Sequence, residues 1–492
     1  MAKESLEINP AGIRLSKNQD TPLYVQVYEQ FREMIVSKRL RPGDRVPASR
    51  NLAKELGVSR VIVHQGYEQL ILEGYLVGRT GAGTFVASTL PDQLLNAARP
   101  GKNAGKQVDG LRSEGARKKE GTGKNEIKSF QIGTPSLDQF PYKAWGQVAG
   151  RVLKELKGVN LGYDDTMGHW GLRKAIAAYL RMARAVNCEA EQVVIVTGSL
   201  QGLNLVIKCL LKKGDKVWME DPGYSGARKS FLYAGAQLCP IPIEADGMNI
   251  TYGQRKAGDA KLAYVTPSHQ FPLGCTLSQE KRLQLLEWAG QNKMWILEDD
   301  YDSEFRYEGR PLASLQGLDK EGRVIYSGTF SKVLFPGLRL AYIVLPSVEM
   351  LPAFKKVKEI IDRQSPIMEQ LILSRFIEEG YFLRHIRKMR LLYADRQRIL
   401  AGLLDEQARD YFQVSAAPSG MHLLCRLSDK IEEVSFRQEI EKQQLVIAFI
   451  GDYTIESKQA PAILLGFTAF TKYKMKAGVE KLVKCAQAAL RP

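Results

Sequence analysis

The chain contains few of the residues from which metal centres and disulfide frameworks are built. Its 492 residues include five histidines, none at H-E-x-x-H spacing, and six cysteines without a C-x-x-C pair. These features argue against a metal enzyme and favour reduced, mostly buried cysteines. No run approaches the ~20 apolar residues of a membrane span, and the opening MAKESLEINP has no apolar signal-peptide core. We therefore expect no metal site, no membrane partner and a cytoplasmic location.

Positive charge is in excess. Lysine and arginine together number 70 against 54 acidic residues, which gives a formal net charge of +16. This balance favours a polyanionic partner such as nucleic acid, although an ordinary basic surface accounts for it equally well.

Three compositional regions follow one another along the chain. Residues 1–88 read as short amphipathic helices separated by turns. Residues 89–128 are rich in Gly, Lys and polar residues, cannot bury enough surface to offset their chain entropy, and are predicted to be a flexible linker. Residues 129–492 contain apolar runs between helical stretches: VVIVTG, KVWMED, LAYVTP, MWILEDD and RVIYSG. These runs predict an α/β domain with a mostly parallel sheet.

The first region follows a helix-turn-helix pattern. A first helix beginning at Pro22 has apolar residues at helical spacing: Val25, Tyr28, Phe31, Ile35 and Leu40. Ser49 is the expected N-cap of a second helix that ends at Gly57. Ser59 caps a third, recognition helix over residues 59–73. Alternating polar and apolar residues from 75 to 86 predict a two-stranded wing.

The succession of helix, PGDRVPASRNLAKELGVSR, helix and EGYLVGRTGAGTFV resembles the winged-helix domain of GntR-type transcriptional regulators. The resemblance implies binding to double-stranded promoter DNA. Ala48 stands where the family's L-P-S-S-R motif has a serine, which removes one phosphate contact. The residues that match the family's DNA contacts, or lie on the recognition helix, are Arg50, Ser59, Arg60, His64, Arg79 and Gly83.

The run GTFSKVLFPGLR, residues 328–339, has the features of a pyridoxal 5'-phosphate anchor. A lysine that forms a Schiff base needs a lowered pKa and a fixed aldehyde beside it. Lys332 lies between the hydroxyl residues Thr329 and Ser331 on one side and Arg339 on the other. We therefore expect phosphate ligands on both sides of the amine.

An acidic strand end lies upstream of this lysine, in WILEDDYDSEF. The chain thus offers, in order, an acid that would keep the pyridinium nitrogen protonated, a tyrosine for the ring hydroxyl and then the lysine. This order resembles that of the fold-type I aminotransferases. The resemblance assigns the ring nitrogen to Asp299, with Asp300 as the near rival. It assigns the ring hydroxyl to Tyr301 and the internal aldimine to Lys332.

Further motifs complete the expected cofactor site. In TGSLQGLNLV a strand enters a helix whose N-terminal amides form an anion site, so Ser199 and Gln201 are expected at the cofactor phosphate. Tyr224, in EDPGY, resembles the aromatic residue that stacks on the ring, with a plain turn residue as the alternative. Tyr163 resembles the tyrosine that reaches the partner's phosphate, which implies a homodimer.

Two motifs depart from the aminotransferase pattern. TPSHQFPLG has Phe271 where those enzymes carry the asparagine that contacts the ring hydroxyl, and His269 is the expected substitute. AILLGFTAF has Leu464 where R-L-x-F supplies the arginine that grips the substrate carboxylate. An apolar residue cannot pair with a carboxylate. Arg228 is a candidate replacement, and efficient transamination is not expected.

A GntR-like domain ahead of an aminotransferase-like domain resembles the MocR/GabR regulator subfamily over essentially the whole chain. The resemblance implies a regulator that binds promoter DNA and senses pyridoxal phosphate, alone or as an aldimine with an amine or amino acid. Such a protein would be associated with the bacterial nucleoid when bound to DNA. The alternatives are an active aminotransferase with an accessory DNA-binding domain and a repressor whose large domain has lost the cofactor. The occupied lysine, aspartate, tyrosine and arginine positions disfavour the last.

Overall fold

A computed structural model of the chain describes residues 12–16, 21–79, 82–88, 129–157, 162–308, 313–415 and 418–491. The chain divides into two compact units, Met1–Gly121 and Thr122–Pro492. The linker predicted for residues 89–128 lies outside the described residues, so its boundaries stay a prediction. Within the described ranges, no helix combines the length and apolar character that crossing a bilayer requires.

The first unit contains three helices followed by an antiparallel pair of strands. They are α1 (Leu23–Val36), α2 (Ser49–Leu56), α3 (Arg60–Leu72), β1 (Leu76–Arg79) and β2 (Gly83–Val86). Helices α1 and α3 share one apolar core, in which the rings of Phe31 and Tyr67 meet edge to face at 5.2 Å. The helices approach closely because Gly66 has no side chain: a Cβ there would lie 2.9 Å from Cγ1 of Val27. This arrangement confirms the predicted helix-turn-helix and wing.

The details of this unit correct two predictions. The buried stripe of α1 contains Phe31 and Ile35 as predicted, but Val27 completes it in place of Val25 and Tyr28, which are only half-buried. The N-cap of α2 is Ala48, and Ser49 is the first helical residue, so the Ser49 cap was wrong. Gly57 does end α2 in the left-handed region, with φ 64°.

The second unit is built on an eight-stranded sheet. Its strands are β3 (Val193–Val196), β4 (Lys216–Asp221), β5 (Gln237–Glu244), β6 (Gly247–Met248), β7 (Leu262–Val265), β8 (Trp295–Asp300), β9 (Val324–Thr329) and β10 (Ala341–Val344). The order is β3-β10-β9-β8-β7-β4-β5-β6, with β10 and β6 antiparallel to their neighbours and the other pairings parallel. The predicted mostly parallel sheet is therefore confirmed.

Helices cover both faces of this sheet. Alternate residues of β3 show it: Val193 and Ile195 belong to one apolar cluster, whereas Val194 and Val196 belong to another. The flanking helices are α4 (Tyr142–Glu155), α5 (Trp170–Arg184), α6 (Ser199–Leu210), α7 (Ser225–Tyr233), α8 (Ile250–Ala257), α9 (Gln279–Asn292), α10 (Leu315–Leu318), α11 (Leu351–Ile361) and α12 (Ile367–Glu378). A sheet buried on both faces explains the continuous apolar runs of its strands.

A smaller antiparallel sheet completes the unit, in the order β11-β12-β14-β13. The elements are α13 (Tyr381–Ala408), β11 (Phe412–Ser415), β12 (His422–Leu427), α14 (Glu433–Lys442), β13 (Ala448–Phe449), β14 (Ala462–Gly466) and α15 (Lys472–Ala488). One face packs in an apolar cluster through Leu423, Ile463 and Leu465. Because side chains alternate along a strand, His422 and Leu464 lie on the opposite face.

Candidate functional site

A cavity of about 370 Å³ opens at the carboxyl ends of the central strands of the large sheet. Ligands of open α/β sheets bind in this position. The wall contains Lys332, Asp299, Tyr301, Tyr224, Ser199, Thr329, Ser331 and Arg339, as well as Ile132, Gly133, Gly198, Leu200, Ser225, Tyr264, Thr266, Phe271, Pro336, Met421, His422 and Tyr453. Eight of the predicted cofactor residues therefore lie around one space.

Lys332 follows the end of β9 and points its amine into the cavity. Its Nζ donates a hydrogen bond to the Gly133 carbonyl at 2.9 Å. Burial lowers the pKa of this amine, against the opposing charges of Asp302 and Asp299. A lowered pKa increases the neutral fraction that can attack an aldehyde. Gly133 leaves room for the amine, since a Cβ there would lie 2.6 Å from Nζ.

Asp299 is held beside the amine by Tyr264, a residue that sequence reasoning missed. The Tyr264 hydroxyl donates to Oδ2 of Asp299 at 2.5 Å, whereas Oδ1 is buried and has no hydrogen-bond partner among the described residues. Burial raises the pKa of Asp299 to about 6, helped by Asp300 and opposed by Tyr264 and Lys332. An unpartnered buried acceptor suits a protonated ring nitrogen. The residues present thus fit pyridoxal phosphate, whose ring provides that group and acts as an electron sink.

The rival Asp300 points away from the cavity. Its Oδ2 accepts from Nε of Arg184 at 2.8 Å and from the Tyr326 hydroxyl at 2.5 Å. Adjacent strand residues face opposite sides of the sheet, so only one of the two aspartates can reach the cofactor. The geometry favours Asp299.

His269 lies behind Tyr301 instead of in the cavity wall. Its Nδ1 is 2.9 Å from the Tyr301 hydroxyl and 3.0 Å from Oδ2 of Asp302. Gly420 packs against the ring so closely that a Cβ there would lie 2.0 Å from Cε1. The predicted direct contact of His269 with the cofactor is therefore replaced by a contact with Tyr301, which it orients. Phe271, predicted to stand at the position of the missing asparagine, lines the cavity.

The other end of the cavity is shaped for an anion. Gly198, with φ 153°, precedes helix α6, and the first helical residue is Ser199. A Cβ on Gly198 would lie 3.1 Å from the Arg339 guanidinium, so the glycine lets this cation approach the helix N-terminus. Free amides and a cation together form a phosphate site. Thr329 accepts the backbone N–H of Ser331 at 3.2 Å, which fixes the loop before Lys332.

Gln201 does not reach this anion site. Its Oε1 accepts from the Thr197 amide at 2.7 Å, and its Nε2 donates to Asp362 at 2.5 Å. Both ends of the side chain are therefore engaged away from the cavity, and the predicted phosphate contact is corrected. Gln201 instead ties the loop before α6 to the region after α11.

Aromatic rings line the mouth of the cavity around Phe271. Its ring centroid lies 5.0 Å from that of Tyr453, 5.8 Å from His422, and 6.1 Å from both Tyr224 and Tyr301. Tyr453 belongs to the strap, which we define as residues 450–457. No local motif indicated this tyrosine, because it reaches the cavity only through the packing of the strap on the large sheet.

The strap is clamped by the segment that contains Tyr224. Asp221 is buried and accepts the backbone N–H groups of Ile455, Glu456 and Ser457 at 2.8, 2.7 and 2.7 Å. Arg228 donates to the Thr454 carbonyl at 2.8 Å and to the Asp452 carbonyl at 3.4 Å. Arg228 therefore holds the strap and lies outside the wall, so its candidate role as a carboxylate ligand is not supported.

Tyr163 lies apart from the cavity in the single chain. Its side chain is 78% exposed, and the Arg363 guanidinium lies 3.8 Å from its ring centroid. An exposed position is the one that a contact across a dimer requires, and this role stays a prediction.

The predicted DNA-contact residues lie on the surface of the first unit. Arg50, Ser59, Arg60, His64, Arg79 and Gly83 are all exposed. Sequence reasoning missed Arg45, whose Nε would be 2.9 Å from a Cβ at Gly83, so this glycine admits a further cation at the wing. An exposed α3 with basic side chains beside it has the arrangement of a recognition helix.

Comparison with known proteins gives two family matches. Residues 127–458 match aminotransferase class I and II, and residues 23–86 match the bacterial regulatory proteins of the gntR family. The chain is 38% identical over 472 residues to the probable rhizopine catabolism regulatory protein MocR of Rhizobium meliloti, covering 95% of this chain and 94% of the relative. It is 29% identical to the pyridoxine biosynthesis transcriptional regulator PdxR of Corynebacterium glutamicum, over 84% and 85% of the two chains.

Solved aminotransferase structures match about three quarters of the chain. A kynurenine aminotransferase of Pyrococcus horikoshii gives a TM-score of 0.68 at 26% identity, covering 74% of this chain and 92% of that one. An archaeal alanine:glyoxylate aminotransferase gives 0.68 at 29% identity, covering 74% and 91%.

Proposed function

The chain belongs to the MocR/GabR-type regulators, in which a GntR helix-turn-helix precedes an aminotransferase class I and II domain, and from this premise we propose how it works. It is a pyridoxal-phosphate-dependent transcriptional regulator. The first unit binds operator DNA, and the cavity of the second unit senses the cofactor alone or together with an amine. Occupation of the cavity changes DNA affinity to the extent that the two states of the protein bind the ligand differently.

The observation that carries this proposal is a difference between the groups available to the cofactor and those available to a substrate carboxylate. Lys332, Asp299 and Arg339 supply the groups that hold the cofactor, and one buried oxygen of Asp299 has no hydrogen-bond partner in the described part of the chain. The face of the small sheet that contains His422, however, has Leu464 in place of a carboxylate-binding arginine. A site that holds the cofactor firmly and a substrate loosely suits sensing better than turnover, because turnover depends on a fixed substrate geometry.

Residue roles at the DNA follow from exposure and charge. Arg60 is the first residue of α3 and Arg50 is the second residue of α2, so both stand where helix N-termini and side chains meet the DNA backbone and bases. We propose that two first units act together as a homodimer on paired half-sites. The exposed Tyr163 supports the dimer, as a residue that would reach the partner's cofactor.

DNA binding with and without the cofactor tests the function. Genomic fragments are selected by the purified full-length protein, and their affinity is then measured by fluorescence anisotropy at fixed salt. We expect pyridoxal phosphate, or an amine added with it, to change the affinity several-fold. Selection of no fragment, or an affinity that every ligand leaves unchanged, would contradict the proposal.

Sedimentation of the cofactor-loaded protein tests the dimer. At micromolar concentration we expect a species of twice the mass of the chain, because Tyr163 needs a partner subunit to take part in the site. A monomer under these conditions would contradict the proposed assembly while leaving the DNA-binding assignment to its own test.

A further inference from the structure

The mouth of the cavity, where an effector beyond the cofactor would lie, is predominantly aromatic and apolar. Phe271 is central to it, with Tyr453 on the strap and Met421 and His422 at the start of β12. Apolar and aromatic surfaces gain from burying a ligand tail of the same kind.

Fixed positive charge is absent from this end among the described residues of the wall. Among the wall residues that the structure describes, the only arginine is Arg339, which lies against Gly198 at the opposite, phosphate end. Arg228 donates to strap carbonyls. Lys332 is the amine consumed in holding the cofactor. A buried carboxylate without a partner is costly, so this wall disfavours a ligand that brings one.

His422 does not replace the missing cation. Burial lowers its pKa to about 4, so the imidazole is neutral at physiological pH. Its Nε2 lies 3.1 Å from the Pro272 carbonyl, which only accepts, so this nitrogen must donate. A neutral imidazole offers a ligand hydrogen bonding but no ion pair.

Leu464, which stands where the aminotransferases have the carboxylate arginine, is fully buried and is not one of the residues that line the cavity. It lies opposite Leu424 on β12 and opposite Ala448 on β13, on the same sheet face as His422. Its two directly opposite partners are thus apolar, and its diagonal neighbours on β12 are the neutral imidazole of His422 and the side chain of Arg426, which is exposed to solvent. Among the described residues of this face only His422 lines the cavity, so a carboxylate inside the cavity would find no positive partner there.

Resting on the proposed function, we infer that the effector is a primary amine with an apolar or aromatic tail and no carboxylate. The amine group reaches Lys332 and the cofactor, and the tail packs against Phe271 and Tyr453. An α- or ω-amino acid of the same length is disfavoured because its carboxylate would be buried against this wall without a positive partner. This inference names the effector class that the proposed function leaves open.

Matched ligand pairs test the inference on the cofactor-loaded full chain. The probes are phenethylamine against phenylalanine, and butylamine against 4-aminobutanoate. Binding is followed by the absorbance of the bound cofactor and, independently, by calorimetry. Each amine is expected to bind at least about tenfold more tightly than its acid, as an unpaired carboxylate is excluded. Equal or tighter binding of the acids, or no binding of either amine, overturns the inference.

Two substitutions sharpen the result. Phe271→Ala should weaken phenethylamine about tenfold and butylamine much less, because only the aromatic tail loses its ring partner. Leu464→Arg should improve binding of the acids, provided that thermal melting shows a folded protein. If that variant does not fold, the matched pairs on the native chain decide alone. An unchanged ratio between the two amines in the Phe271 variant would overturn the assigned tail site.

The DNA readout separates this inference from the proposed function. If amines bind preferentially but leave DNA affinity unchanged, the effector class stands and the regulatory coupling fails. If amino acids bind preferentially and change DNA affinity, the coupling stands and the inference on the effector class fails.

Discussion

The adjacent residues Asp299 and Asp300 are expected to respond to the same substitution with opposite signs. Asp299 holds a buried carboxylate whose Oδ1 has no hydrogen-bond partner among the described residues, whereas Asp300 is ion-paired with Arg184. Asp299→Asn should therefore stabilise the cofactor-free protein at neutral pH. The same change should weaken cofactor binding, because an amide cannot supply the negative charge for a protonated ring nitrogen.

The magnitude follows from the pKa of Asp299. Its value in the folded protein is about 6, against an ordinary 3.8. The folded state thus holds this proton more firmly than the unfolded state does. The resulting destabilisation develops as the pH rises from 3.8 to about 6 and is complete above it. Two pKa units correspond to about 3 kcal/mol of unfolding free energy. Since the asparagine amide is also buried, we expect a gain of about 1–3 kcal/mol at pH 8 that vanishes near pH 4.

Tryptophan fluorescence during denaturant unfolding measures the stability of the second unit, which contains Asp299. All five tryptophans lie in the second unit: Trp145, Trp170, Trp218, Trp288 and Trp295. The matched control is Asp300→Asn, which removes the charge beside Arg184 and should cost about 3 kcal/mol or more. Destabilisation by Asp299→Asn at pH 8, or a gain that does not change with pH, would refute the reasoning.

Three further predictions concern the chemistry and the DNA. Borohydride should fix the cofactor covalently to Lys332, as peptide mapping would show, and Lys332→Ala should abolish the adduct; a principal adduct elsewhere would contradict the assignment. Arg60→Ala should weaken operator binding by about 1–3 kcal/mol if the contact is bidentate to a base. The affinity of the native chain for the operator should fall steeply with salt. Arg409→Ala, on the second unit, is the control that should leave both the affinity and its salt dependence unchanged. Keto-acid production from common amino acids should stay below roughly 1 s⁻¹, since the described residues of the cavity wall offer no arginine at the substrate end. Sustained faster turnover would promote the aminotransferase alternative.

The fold was largely predictable from local patterns. Strands β3, β4, β7, β8 and β9 are continuous apolar runs of the kind that a doubly covered sheet requires. Strand β5 escaped prediction because its sequence contains Pro240 and Pro242, which usually exclude a residue from a sheet interior. Strand β10, AYIV, is a short run whose antiparallel direction depends on β3 and β9 rather than on its own residues.

The site was predictable where one motif contributes the residue and its surroundings. Asp299 lies in the last two residues of β8 and Lys332 comes just after β9, and the sequence displays both strands as apolar runs. The choice between Asp299 and Asp300 was not decidable locally, since it depends on Arg184, which is brought in by another helix. Tyr264 and Tyr453 were not predicted because their roles also depend on tertiary contacts. Tyr264 contacts Asp299 from the neighbouring strand, and Tyr453 is placed at the cavity by the strap. Gln201 was misassigned because Asp362, 161 residues away, binds its amide.

The coupling between cofactor and DNA is tested most directly by comparing the native chain with Lys332→Ala on one selected operator fragment. Affinity is measured by anisotropy for each protein as pyridoxal phosphate is added, at constant salt. We predict that the cofactor changes the affinity of the native chain several-fold and that it leaves the affinity of the folded Lys332→Ala variant unchanged. An equal response of the two proteins, or none in the native chain, would contradict the claim that the Lys332 cavity controls DNA binding.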